Sequence, residues 1–240
     1  MLKKSHISNI QIYTNEWDIA RLGRGTSSNI SHIMGEKFTT QDCVSYVYQK
    51  AGELITMKST ALEEDVIEDE NTAWGRENEP AAIRRFGQIK QIEFLVTQKL
   101  IMNPDSHFSS TPDAIWIHSA SVLKDDEYNV STLEVKCPRK YPRYIPLWQC
   151  QTPEDLKKFS KKYYWQVIDQ MDNCDSHIGY FACFHPLFPE ATNMRIIEFR
   201  KIDMWPDFIK LKERKAMFVK YLDAIRLEFA PTVSIASTTQ

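Results

Sequence analysis

The chain has 240 residues, a formal net charge of −2 and a pI near 6.3, a balance that does not announce a nucleic-acid binder. Its 42% hydrophobic and 26% charged content suits one folded core and excludes a disordered chain. The longest strongly apolar run, residues 178–184, is far too short to span a bilayer, and no signal-type segment follows the N-terminal lysines, so no membrane partner and a cytoplasmic location are expected.

Residues 1–16 read as a strand or extended lead-in. The next block, residues 17–30, carries Trp17, Arg21, Arg24, two glycines and the hydroxyl run Thr26-Ser27-Ser28 ahead of Ile30, Ile33 and Met34, which predicts a helix starting near Ser27 or Ser28. Such a start serves either as an ordinary cap at Ser28 or as an anion site; the spacing is not that of a P-loop. Residues 40–57 read as a helix with Val44, Val47 and Tyr48 on one face, and residues 63–71 as a polar loop. Pro80 should begin or kink a helix, which leaves Glu79 either as an exposed acid favouring the helix dipole or as a carboxylate aimed into a cleft.

One or two strands are expected in residues 92–102, then a turn into a strand that opens at Asp113, and a polar connection over residues 124–130. The prolines and aromatics after Pro138 give way to a helix with Thr152 as cap, Pro153 at its first position and Asp155 at its third. That helix or its successor bears Gln166 and Gln170 one turn apart on a stripe with Tyr163, suited to position a water or phosphate or equally to form a hydrogen-bonded helix surface. Strands at residues 178–184 and 195–200 and a long amphipathic helix over residues 204–229 complete the pattern. The expectation is one α/β domain over residues 1–230, a central mixed β-sheet flanked by helices, with a polar tail at 231–240. Cys43, Cys137, Cys150, Cys174 and Cys183 form no C-x-x-C pair and are expected to be reduced thiols.

The chemistry concentrates in Ser110-Thr111-Pro112-Asp113-Ala114 and, twenty-one residues beyond the aspartate, Leu133-Glu134-Val135-Lys136-Cys137-Pro138. Strand alternation puts Glu134 and Lys136 on one face and Leu133, Val135 and Cys137 on the other. Two carboxylates on neighbouring strands with an ammonium beside them are what metal-dependent phosphodiester hydrolysis requires: hard oxygen ligands, and a cation that orients water or offsets charge on the phosphate. The same triplet is also what a solvated strand face looks like. A run of Lys136, Arg139, Lys140 and Arg143 without an acid, interleaved with Tyr141 and Tyr144, begins inside this strand, and Lys157, Lys158, Lys161 and Lys162 follow.

Together, Glu79, Pro112-Asp113, Glu134-Val135-Lys136 and Gln166 resemble, in order and spacing, the PD-(D/E)XK nucleases, and most closely the lambda exonuclease or YqaJ-like viral recombinase group. Ala73-Trp74-Gly75 ahead of Glu79 and the block from Trp17 to Ser28 resemble further signatures of that group, so the likeness runs from Trp17 to Pro186. The resemblance implies a restriction-endonuclease-like core with two Mg²⁺ ions, Mn²⁺ being a substitute. Asp113, Glu134 and the Val135 carbonyl would be ligands, Lys136 would position or activate water, and Glu79 and Gln166 would complete the site. Arg21 and Ser28 would hold a 5′-terminal phosphate with Trp17 near the terminal nucleotide. It implies a 5′→3′ exonuclease on linear double-stranded DNA, leaving 3′ single strands for an annealing protein, in some members as a ring-shaped homo-oligomer such as a trimer. Ala114 stands where the group often has glycine, and residues 124–131 lengthen the connection before Glu134. Rival readings are an endonuclease or RecB-type nuclease of the same core, and a non-cleaving DNA-binding scaffold; the complete acidic set disfavours the scaffold, since acids kept together without a metal repel one another.

Overall fold

The computed structural model describes residues 1–60, 70–92, 95–118 and 127–229. Residues 63–69 of the expected loop, residues 124–126 of the expected connection and the tail over 231–240 lie outside the described residues. Three strands carry the centre: β6 (Ala114–Ile117), β8 (Val130–Lys136) and β9 (Ile178–Phe184). With β3 (Val96–Thr97) and β10 (Met194–Arg200) they form a five-stranded mixed sheet in the order β10-β9-β8-β6-β3. β8 pairs antiparallel with β6, Ala114 opposite Leu133, and parallel with β9, Glu134 opposite Phe181.

Parallel neighbours need a long crossover. Residues 137–177 supply it through α4 (Tyr141–Gln149), α5 (Pro153–Phe159) and α6 (Lys161–Asn173). The α5 start is a full capping box: Thr152 accepts from the Asp155 N–H and Asp155 accepts from the Thr152 N–H. α4 was not expected. Pro142 lies in its first turn, where no N–H is needed, while Pro146 lies inside a helix only nine residues long.

The alternation along β8 decides what each face does. Leu133, Val135 and Cys137 pack with Tyr180, Ala182 and Phe184 against Ala82, Ile83 and Phe86 of α3 (Glu70–Lys90). Glu134 faces the other way and is 1% exposed. Its face is covered by α6, whose Val167, Ile168 and Met171 join Phe181 and Cys183 in a second apolar cluster. At Glu134 the polar face of the strand is therefore buried under a helix, while Lys136 at the strand end stays partly exposed. Glu70 and Asn71, read as loop, belong to α3, and Pro80 lies inside that helix.

Smaller elements build the rest of the frame. The lead-in holds β1 (Leu2–Lys3), which pairs with β7 (Glu127–Tyr128) in the stretch read as a polar turn, and its end runs into a helix that was not expected, α1 (Asn15–Ala20). β2 (Gly25–Thr26), β5 (Phe108–Ser110) and β4 (Ile101–Met102) form a three-stranded sheet, and a 3-10 helix, Ser27–Ile33, follows β2 directly. Thr26 occupies the N-cap position of this helix, without a side-chain cap bond, so Ser28 is not the cap. α2 (Gln41–Thr56) starts at Thr40 as expected but buries Cys43, Tyr46, Val47, Lys50 and Ala51, leaving Tyr48 62% exposed. α7 (Trp205–Glu228) packs Phe208, Leu211, Phe218 and Leu222 into the larger cluster. All five cysteines are free and buried. Among the described residues no helix is long and apolar enough to cross a membrane.

Candidate active site

Asp113 stands one residue before β6, and pairing of β6 with β8 brings its carboxylate onto the β8 backbone. The Val135 N–H donates to Asp113 Oδ2 at 2.6 Å. Glu134 is held by three donors from two elements. Gln166 Nε2 donates to Oε1 at 2.6 Å, Gln170 Nε2 to Oε2 at 2.5 Å, and Lys136 Nζ, two residues along the same strand face, donates to Oε1. The glutamine stripe expected on α6 thus points inward and fixes the Glu134 carboxylate; Gln170 acts alongside Gln166. The Lys136 ammonium also lies 5.5 Å from the centre of the Tyr163 ring.

Charge is crowded here. Burial, then Glu134 and Glu79, hold the Asp113 carboxyl well above the usual carboxylate range, against the pull of Lys136 and the Val135 N–H. Glu79, reaching in from α3 just ahead of Pro80, is raised by burial and Glu134, with Lys136, Arg76 and Gln98 opposing. Burial works against a charged Lys136, but Glu134 and Asp113 outweigh it and hold its pKa above the ordinary lysine value. This balance favours the ammonium form of Lys136.

Such a floor has the chemistry of a divalent-cation site. Among the described residues no three His, Cys, Asp or Glu side chains converge closely enough to hold an ion by themselves. What the cleft offers is the carboxylates of Asp113, Glu134 and Glu79, all hard oxygen, with the Val135 backbone beside them and room for water. Mg²⁺ suits such a set, since it keeps several waters and takes only one or two carboxylates. The mutual repulsion of the acids fits the group as well, because a divalent ion would relieve it. Ca²⁺ or Mg²⁺ at about 100 times its Kd is therefore expected to stabilise the fold by about 2.7 kcal/mol. In a thermal-shift titration the rise should vanish in Asp113→Asn with Glu134→Gln.

These residues open into a cleft of about 760 Å³ that also takes in Trp17, Arg21 and Ser28. All nine residues marked in the sequence line this one space. The Arg21 guanidinium lies 3.6 Å over the Trp17 ring, with Asp18 at 3.9 Å. Gly23, with φ +65°, turns the chain between Arg21 and β2, and its N–H donates to the buried Glu53 of α2, itself clamped by Lys50 at 2.9 Å. Ser28 lies 3.3 Å from the Thr26 hydroxyl. The second arginine of the block, Arg24, does not join the site: it donates to the backbone carbonyls of Asn103 and Ser106. Of the basic run, Arg139, Lys140, Arg143 and Lys162 line the cleft, whereas Lys157 pairs with Asp207. Sequence reasoning missed Tyr13, Arg76 and Gln98 in the lining; Arg76 follows Trp74-Gly75 directly, but Tyr13 is a lone aromatic in a lead-in and gave no signal.

Residues 16–176 match the family model of the YqaJ-like viral recombinase domain. The chain belongs to that family. Its fold is that of solved exonucleases. The alkaline exonuclease LHK-Exo from Laribacter hongkongensis superposes with a TM-score of 0.67 at 19% identity, over 90% of this chain and 95% of that one. The same exonuclease in complex with dAMP gives 0.66 at 20% over the same shares. A phage-related exonuclease from Haemophilus somnus 129PT gives 0.62 at 15%, over 86% of this chain and 96% of that one. No curated protein matches the chain. As a member of the YqaJ-like family, the protein is a nuclease with a restriction-endonuclease-like core.

Proposed function

We propose that this nuclease is a Mg²⁺-dependent exonuclease that removes mononucleotides from the 5′ end of linear double-stranded DNA and leaves a 3′ single strand. The observation that carries the reading is the sharing of one cleft by the Trp17, Arg21 and Ser28 block and the acidic floor of Asp113, Glu134 and Lys136. An end-binding pocket beside a hydrolytic centre selects a terminus, whereas an endonuclease needs an open passage on both sides. The relative from Laribacter is described in complex with dAMP, a mononucleotide.

Asp113, Glu134 and the Val135 carbonyl would hold the metal, as two ions with Mn²⁺ as a substitute, and Glu79 and Gln166 would complete the site. The bound metal would supply an activated water and neutralise charge on the phosphate. This chain's own residues do the positioning. Gln166 and Gln170 keep the Glu134 carboxylate in one orientation, and the Val135 N–H does the same for Asp113. Lys136 donates towards the attacked phosphate or its water and offsets the charge that develops there. Arg21 and Ser28 hold the 5′-phosphate, with Trp17 against the terminal nucleotide. Cleavage of the P–O3′ bond leaves a 5′-phosphate on the shortened strand, so each turnover regenerates the group the pocket binds.

In this reading one nuclease domain over residues 1–230 works in the cytoplasm, as a homo-oligomer such as a ring trimer, and passes its 3′ strand to a single-strand annealing protein. The test compares 5′-phosphorylated linear, 5′-hydroxyl linear and closed circular duplexes in Mg²⁺. Mononucleotides from the phosphorylated linear duplex alone support the reading. Cutting of the circle moves the assignment to an endonuclease, and binding without any product moves it to a scaffold.

A further inference from the structure

α2 buries a polar stripe where a helix packed on a core ordinarily buries apolar side chains. Tyr46, Lys50 and Glu53 recur at helical spacing on one face and are all buried, Glu53 being 3% exposed. The Glu53 carboxylate is fully engaged. Its Oε2 accepts from the Gly23 N–H at 3.0 Å, Lys50 Nζ reaches both oxygens at 2.9 Å, and the Thr60 hydroxyl donates to Oε1 at 2.7 Å. Two turns earlier on the helix, the Tyr46 phenol oxygen accepts from the Thr26 N–H at 3.0 Å. α2 thus holds the chain between Arg21 and Ser28 by two backbone N–H groups.

A buried ion pair is poor evidence of stability by itself, because well-packed apolar residues of the same volume do as well or better. The position of this pair supplies another reason for it. Gly23 is two residues from Arg21, and Leu54 of α2 packs so tightly on it that a Cβ there would lie 2.1 Å from Leu54 Cγ. Arg21 is largely shielded from solvent. Burial lowers its pKa, and Asp18, Tyr46 and Glu53 oppose that loss, which places Glu53 within electrostatic reach of the guanidinium. Burial likewise lowers the Lys50 pKa, Glu53 raises it and Arg21 lowers it further, so the three charges act on one another. A carboxylate left uncompensated here would draw Arg21 into an ion pair. Lys50 takes up that charge instead, and the Arg21 guanidinium stays over the Trp17 ring.

We infer that Glu53 and Lys50 are positioning residues for 5′-phosphate recognition. Glu53 fixes the Gly23 turn through its N–H, and Lys50 keeps the Glu53 charge from competing with the phosphate for Arg21. Neither side chain lines the cleft, so both act through Arg21. The inference rests on the exonuclease reading above and adds to it the residues behind the cleft that set its preference for a phosphorylated end. What they control is the ratio of kcat/KM on 5′-phosphorylated ends to kcat/KM on 5′-hydroxyl ends.

The experiment measures this ratio on linear duplexes in Mg²⁺ for wild type, Arg21→Ala and three variants of the pair, with a melting temperature for each. Lys50→Met leaves Glu53 free to take Arg21 and should lower the ratio about tenfold, through KM on the phosphorylated end. Lys50→Met with Glu53→Gln removes the charge, keeps an acceptor for the Gly23 N–H and should restore the wild-type ratio. Lys50→Met with Glu53→Leu fills the same space without an acceptor, and its ratio should fall towards that of Arg21→Ala. If one of the two impaired variants does not fold, the other decides against the Gln variant. A ratio kept by Lys50→Met or by the Leu variant, or lost in Lys50→Met and not recovered with Gln, overturns the inference. The exonuclease reading survives that result as long as wild type prefers the phosphorylated end. A wild-type ratio near one, or cutting of a closed circle, overturns both.

Discussion

Replacing Lys136 by alanine is expected to lower turnover on linear duplex DNA by about 10²–10³-fold, with DNA affinity changed far less. The argument starts from its protonation. Glu134 and Asp113 together overcome the cost of burial and keep the side chain an ammonium, so the loss is that of a fixed charged donor and not of a base. Its position is over-determined by the Glu134 oxygen it donates to and the Tyr163 ring beside it. Alanine leaves the Gln166 and Gln170 bonds to Glu134 intact, so the fold should survive. Arginine should restore little, because its planar fork cannot occupy the place of a compact ammonium. Single-turnover rates with saturating enzyme separate the outcomes. A loss confined to binding would assign Lys136 to holding DNA.

How far such roles could be read beforehand depended on whether they follow from local periodicity. Glu134 and Lys136 share a face because any strand alternates, and Asp113 meets them because two strands joined by one connection pair as neighbours. The strands read at residues 178–184 and 195–200 and the capping box at Thr152 were equally local. Burial was not. Val44 and Tyr48 are more apolar than Lys50 and Glu53, yet the charged pair lies inside, since Glu53 accepts from the Gly23 N–H and Lys50 neutralises it. Gln166 and Gln170 read as an uncharged stripe whose destination only the packing of α6 on β8 supplies. α4 was hidden by Pro146, which argues locally against a helix that contacts with β9 and β10 nevertheless hold.

Lys215→Met is expected to destabilise the fold by about 3–5 kcal/mol, roughly 6–20 °C in melting temperature for a chain of this size. Lys215 on α7 reaches Asp169 Oδ1 at 2.6 Å, Asp172 Oδ2 at 2.7 Å and Asn173 Oδ1 at 3.1 Å. Asp169 is fully buried, and its other oxygen accepts from Ser27 at 2.6 Å and Asn173 at 2.9 Å. One buried ion pair thereby ties α7, α6 and the 3-10 helix beside Ser28 together. Methionine preserves much of the stem volume but strands a carboxylate whose pKa burial already raises against the opposition of Lys215. A folded-state pKa above the unfolded value gives stability that is full at low pH and is lost as pH rises through the folded pKa. The Lys215→Met deficit should therefore be small in mild acid and grow towards alkaline pH. Asp169→Asn in the same background should recover most of the loss at high pH, because it removes the stranded charge and keeps an acceptor for Ser27. Denaturant melts of wild type, Lys215→Met and the double variant at two pH values decide the matter: a deficit that neither pH nor Asp169→Asn changes would mean that Lys215 acts through packing, including its approach to Phe108 at 4.9 Å, and not through its charge.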